Sequence, residues 1–258
     1  MRNLEKIKNK IKNRELAFGV FVTISDSCIS EIIGYAGYDF VWIDAEHAAL
    51  DRREIYHHIV AAQSAGAAAF IRAPGVNPEQ VKAILDMGPD GIIFPFIENK
   101  AIAELAVKAC SYPPRGIRGQ GPIRAIKYGL DDESSYISEA ESHFWKILQI
   151  ESIEGYNNLD EIMSVEGFDS IFIGPADLYR SIDLPKEEKD RKMQEVLNDI
   201  FTRLSEKNII TGTATSSLPS DIERCASMGA KWLTVGQDAR ALSTALRSNL
   251  RTILDNLK

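Results

Sequence analysis

The sequence predicts a (β/α)8 TIM barrel, and three observations carry that prediction. Eight short apolar runs rich in β-branched and aromatic residues recur along the 258 residues, stretches of helical periodicity separate them, and the residues that close several of the runs are polar. Strand and helix alternating from end to end is the sign of repeated βα units around a parallel sheet. Eight such units in about 250 residues form one barrel and do not divide into two domains, so residues 1–258 are expected to be a single domain.

The elements follow in order. Leu4, Ile7 and Ile11 stand at helical spacing and predict a short N-terminal helix. Its cations (Arg2, Lys6, Lys8, Lys10, Lys12 and the following Arg14) read as a solvated face, with a nucleic-acid arm as the alternative. Strand runs are expected at Phe18–Thr23 and Phe40–Asp44, and then a helix over Asp51–Ala65 with Ile55, Ile59 and Ala62 on one face. A third strand, Ala68–Arg72, leads to a helix over Asn77–Met87, where Asn77 can cap and Pro78 takes the first helical position. Gly91–Pro95 is the fourth run.

The connection Tyr112–Asp132 departs from the pattern, because Pro113, Pro114 and four glycines (Gly116, Gly119, Gly121, Gly129) make it too rich in turn residues for a plain link. Its cations Arg115, Arg118, Arg124 and Lys127 leave two readings open, an anion-contacting loop or a mobile solvated one. Lys146–Glu151, Ser170–Gly174, Ile209–Thr213 and Trp232–Gly236 complete the eight strands. In the last segment Leu242, Leu246, Leu250, Ile253 and Leu257 step by three and four, a stripe that must bury against the barrel or against another subunit.

Composition narrows the function classes. With 45% apolar and 26% charged residues the chain has ample material for a core. A net charge of -7 and a pI near 5.3 oppose nucleic acid as a partner, since phosphate binding needs a basic face. No apolar stretch approaches the roughly 18 residues of a membrane span, and no secretory apolar segment follows the basic start, so a cytoplasmic protein without a membrane partner is expected. Cys28, Cys110 and Cys225 are odd in number, far apart and without a C-x-x-C pair, which fits reduced thiols.

A barrel of this kind places its active site at the C-terminal ends of the strands. Strand two ends in Asp44, with Glu46 and His47 just beyond; strand three ends in Arg72, strand five in Gln149 and Glu151, and strand six runs into Gly174, Pro175, Ala176 and Asp177. Glu151 and Asp177 are hard oxygen ligands on adjacent strand ends and suit Mg²⁺ or Mn²⁺; either alone reads as a cap or a solvated group. Arg72 closes an apolar run and needs an anion, either a substrate carboxylate or a structural Asp or Glu. Asp44 and His47 stand close enough to form a carboxylate–imidazole pair, with a core histidine as the alternative. His57, His58 and His143 fall on helices away from the rim and read as structural or exposed. Nucleotide binding has little support, because no phosphate-loop motif is present. A Schiff-base lysine is also missing from the rim: Lys146 opens strand five and faces the opposite end.

Six segments in order give the chain a family resemblance: Trp-Ile-Asp-Ala-Glu-His (42–47), Ile-Arg-Ala-Pro (71–74), Leu-Asp-Met-Gly-Pro-Asp-Gly-Ile-Ile-Phe-Pro (85–95), Tyr-Pro-Pro-Arg-Gly-Ile-Arg-Gly (112–119), Gln-Ile-Glu (149–151) and Phe-Ile-Gly-Pro-Ala-Asp-Leu (172–178). Together they resemble the metal-dependent pyruvate aldolases typified by 4-hydroxy-2-oxo-heptane-1,7-dioate aldolase and 2-dehydro-3-deoxyglucarate aldolase, of the phosphoenolpyruvate-binding barrel superfamily. The resemblance implies reversible aldol cleavage of a 4-hydroxy-2-oxo acid to pyruvate and an aldehyde. It implies a divalent metal (Mg²⁺, Mn²⁺ or Co²⁺) on Glu151 and Asp177, with Arg72 on pyruvate and its enolate. His47 paired with Asp44 would be the acid/base. Gln149, Arg118 and the backbone from Gly174 through Pro175 and Ala176 to Asp177 would contact substrate. It also implies a homo-oligomer, such as a trimer of dimers, with the 112–121 loop, Arg118 in particular, near a subunit boundary and the last helix exchanged between partners. Ala48-Ala49 and the polar Thr213–Ser217 run depart from the family pattern, which leaves the aldehyde open. An acyl-CoA carbon–carbon lyase on the same barrel and a non-catalytic acid-binding barrel are the competing expectations.

Overall fold

The computed structural model describes residues 3–257 and has eight parallel strands: β1 (Ala17–Val22), β2 (Phe40–Asp44), β3 (Ala68–Arg72), β4 (Gly91–Phe94), β5 (Trp145–Ile150), β6 (Ser170–Ile173), β7 (Ile210–Thr215) and β8 (Trp232–Gln237). Each pairs with the next and β8 returns to β1, closing the barrel. Arg2 of the basic run lies outside the described residues. All eight strands fall where the apolar runs place them. The ends of β7 and β8 run two residues and one residue further than expected, because Ala214 and Thr215 stay in register with Thr234 and Val235.

Alternation along the strands divides the core. Phe40, Trp42, Phe70, Trp145, Phe172 and Trp232 point inward and fill the barrel with packed rings, Trp42 and Phe172 lying 4.6 Å apart between centroids. Val41, Ile43, Ala69 and Ile71 point outward into the aliphatic layer beneath the helices. Glycines make room for the rings: a methyl on Gly212 would overlap the Trp232 ring and one on Gly91 would sit 2.7 Å from Phe70. Gly212→Ala should therefore lower stability by about 1–3 kcal/mol through overpacking. A urea midpoint equal to that of the parent would show that the ring layer yields.

Below this layer, helix Asn3–Lys12 seals the N-terminal end, with Leu4 and Ile7 in the ring cluster and the Asn3 amide donating to the Ala67 carbonyl at 2.9 Å. Part of the basic face is tied down, Lys10 to Asp39 at 2.7 Å. His58 is buried and shares a hydrogen bond with the Ser30 hydroxyl at 2.8 Å, a structural role.

The long connection lies against the same N-terminal end. Arg124 donates to the carbonyl of Met87 at 2.8 Å and to the Gln63 side chain at 2.7 Å, and Tyr112, Ile126, Tyr136 and Ala140 form a small core of their own. Two of its other cations pair at the surface, Arg115 with Glu141 at 3.3 Å and Lys127 with Asp131 at 2.9 Å, both on exposed side chains.

The stripe on helix Asp238–Asn256 does not bury against the barrel. Leu242, Leu246, Leu250, Ile253 and Leu257 are 52–78% exposed. Among the described residues no helix is long and apolar enough to cross a membrane.

Candidate active site

Register brings the polar strand ends to one level. Asp44 pairs across from Arg72 at the ends of β2 and β3, and Ile150 pairs with Ile173, so Glu151 and Gly174 emerge side by side from β5 and β6. Helix Pro175–Ser181 starts at that point and carries Asp177 in its first turn. These groups line a cavity of about 410 Å³ at the C-terminal end of the barrel, together with His47 and Gln149.

Arg72 is fixed as a fork. Its Nε and Nη2 donate to the two oxygens of Asp44 at 3.0 and 2.6 Å, and Nη1 lies 3.1 Å from Glu46. The guanidinium carbon also sits 5.7 Å from the Trp42 ring centroid, so the ring layer braces it from below. The anion that Arg72 requires is therefore Asp44, and Glu46 is a second.

This corrects the expected pair of Asp44 with the His47 imidazole. Asp44 is committed to Arg72, and it meets His47 only through the backbone N–H, which donates to Oδ1 at 3.2 Å. The turn that lets this N–H reach back carries the imidazole outward, where it is 62% exposed with Nε2 3.6 Å from Glu46. Proximity in sequence gave the right neighbours and the wrong contact. Glu46, which the sequence left without a role, is the carboxylate nearest the ring; burial raises its pKa while Arg72 opposes that.

Glu151 is 2% exposed and accepts the Phe96 N–H at 2.9 Å on one oxygen and the Gln149 amide on the other. Burial, with Glu46 and Asp177 adding like charge, pushes its pKa up to about 7. Gly174 leaves the space that the carboxylate occupies, since a Cβ there would lie 2.7 Å from Glu151 Oε2.

These residues fit a divalent cation. A buried carboxylate held by neutral donors, a second on the next strand end, and a Gln149 carbonyl oxygen buried without a partner make a hard-oxygen set that a cation would neutralise. Among the described residues no three His, Cys, Asp or Glu side chains converge on one point, so the groups this cavity offers a cation are the two carboxylates and the Gln149 carbonyl oxygen.

Arg118 is placed elsewhere. It is buried near the N-terminal end, donates to Asp86 at 2.8 Å and stacks 4.6 Å from the Tyr112 ring centroid, so it does not line this chain's cavity. A position inside a turn-rich loop did not reveal that the loop folds away from the rim. No lysine lines the cavity among the described residues. Its far wall, from β7, β8 and the last helix, holds Thr215, Thr234, Gln237 and Arg240, none of which the sequence singled out. The polar run after β7 was the available signal.

The chain matches the family described as HpcH/HpaI aldolase/citrate lyase over residues 17–245. It is 31% identical to the hydroxypyruvate/pyruvate aldolase of Roseobacter denitrificans, covering 93% of each chain. It is also 31% identical to the 5-keto-4-deoxy-D-glucarate aldolase of Escherichia coli K12, again covering 93% of each. Among solved structures, an HpcH/HpaI aldolase/citrate lyase family protein from Burkholderia cenocepacia J2315 superposes with a TM-score of 0.88 at 26% identity, covering 96% of this chain and 98% of that one.

Proposed function

We propose, because the chain belongs to the HpcH/HpaI aldolase/citrate lyase family, that it is a carbon–carbon lyase cleaving a 4-hydroxy-2-oxo acid reversibly to pyruvate and an aldehyde, with a divalent metal on Glu151 and Asp177. The observation that carries this reading is the composition of one cavity: two metal-suited carboxylates, a braced arginine and, among the described residues, no lysine. The oxygen-only set favours Mg²⁺ or Mn²⁺, with Co²⁺ a further candidate.

Cleavage leaves negative charge on the enolate oxygen of pyruvate. When bound, the metal supplies Lewis-acid stabilisation of that charge. Arg72 adds a cation whose direction is fixed before substrate arrives, because Asp44 occupies two of its nitrogens and the ring layer supports it. Pro175 has no N–H, so the amides of Ala176 and Asp177 are the first that the helix offers to the pyruvate carboxylate. Gln149 orients Glu151 through its amide, and its carbonyl oxygen is buried without a partner.

The 4-hydroxyl proton must leave as the bond breaks, and His47 is the exposed base at the mouth, beside Glu46. His47→Ala should slow cleavage by about 10²–10⁴-fold with little change in metal affinity. A parallel loss of metal affinity in calorimetric titration would make His47 a ligand, and unchanged cleavage would remove it from the mechanism.

The uncovered stripe on helix Asp238–Asn256 supports a homo-oligomer, with a trimer of dimers as the expected form. Three free thiols, two of them buried, support a reducing, cytoplasmic setting.

A further inference from the structure

The far wall of the cavity differs from the pyruvate side in the sign of its charge. Asp44, Glu46, Glu151 and Asp177 gather on the β2, β5 and β6 ends, whereas the β7–β8 side holds Thr215, Thr234, Gln237 and one cation, Arg240. Arg240 makes no side-chain hydrogen bond or ion pair among the described residues, although the chain carries an excess of acidic groups. Thr234 Oγ1 is buried on the same wall and has no partner either.

Arg240 is held in place by the chain beneath it. Gly236 turns the backbone at φ +110, which a glycine adopts without strain, and the helix begins at Asp238. Asp238 accepts the Thr23 and Ile24 N–H groups at 2.9 Å each and the Thr23 hydroxyl at 2.8 Å. That clamp ties the first turn of the helix to the end of β1, so Arg240 stays over the cavity whatever covers the apolar stripe further along.

We infer that Arg240 is a specificity determinant that selects an aldehyde bearing a terminal anion, a carboxylate or a phosphate, with Gln237 and the two threonines receiving its polar groups. The inference rests on the aldolase reading. With pyruvate on the Glu151–Asp177 side, the second product extends toward β7 and β8, where a free guanidinium offers a charge-assisted bond to an anion and nothing comparable to a neutral chain end.

The test compares matched aldehydes in aldol addition to pyruvate: succinic semialdehyde against butyraldehyde, and glyceraldehyde 3-phosphate against glyceraldehyde. Arg240→Gln should lower the anionic-to-neutral ratio of kcat/KM by roughly tenfold in at least one pair, Arg240→Glu should lower it further, and Arg240→Lys should keep part of it. The pair that responds identifies the anion. Ratios that stay within twofold of the parent in both pairs for Arg240→Glu would overturn the inference and leave the aldolase reading standing. A parent protein that adds pyruvate to none of the four aldehydes would overturn the inference, and the aldolase reading falls with it only if metal-dependent exchange of the pyruvate methyl protons is also absent.

Discussion

Glu151→Gln is expected to abolish metal-dependent turnover and leave the barrel folded. The amide keeps the shape of a side chain that packs at 2% exposure between the Phe96 N–H and Gln149, but it removes the anionic oxygen. Lewis-acid stabilisation contributes several kcal/mol, so the loss should reach about 10³-fold or more, accompanied by a fall in metal affinity in calorimetric titration. Stability without metal gives an independent readout. A carboxyl whose pKa rises from 4.5 to about 7 on folding binds more protons in the native state between those values, so the metal-free parent should lose stability as pH rises through that window. The variant should lack that component. Metal affinity and turnover equal to the parent would remove Glu151 from the site.

Arg72→Lys is expected to lower cleavage by roughly tenfold or more, because an ammonium keeps the charge but cannot hold Asp44 with two parallel bonds and still face the cavity. Asp44→Asn should show a related defect for the same reason. In a double-mutant cycle Asp44→Asn and Arg72→Lys should be far from additive, while Asp44→Asn and His47→Ala should add. Coupling of Asp44 to His47 with none to Arg72 would restore the carboxylate–imidazole pair that the structure replaces.

The barrel was legible because each strand carries its own signal. Runs such as Phe40–Asp44 and Ala68–Arg72 are apolar on both faces, as strands enclosed by rings within and helices without must be, and eight of them admit few other closures. The strand-end rule then located Arg72, Glu151 and Asp177 on one rim, since register alone aligns those ends. Contacts beyond the strand ends were less legible. Whether Asp44 turns to His47 or to Arg72 depends on the path of a turn, and the backbone bonds that decide it have no signature in residue type. Arg118 shows the same limit over a longer distance. It lies in a loop whose proline and glycine content announces irregularity but not the end of the barrel against which it packs. Arg240 was hidden inside a helical stripe, where its one position over the cavity differs from its neighbours only in three dimensions.

In the proposed reaction the Glu151–Asp177 rim generates the pyruvate enolate without a lysine imine. Exchange of the pyruvate methyl protons with D₂O, followed by NMR, tests it most directly, since it needs neither the physiological aldehyde nor the last step of cleavage. Exchange should require added Mg²⁺, Mn²⁺ or Co²⁺, stop on chelation and resume on restoring the metal. Enzyme-dependent exchange that persists undiminished in chelator, or its complete absence with every metal supplied, would contradict it.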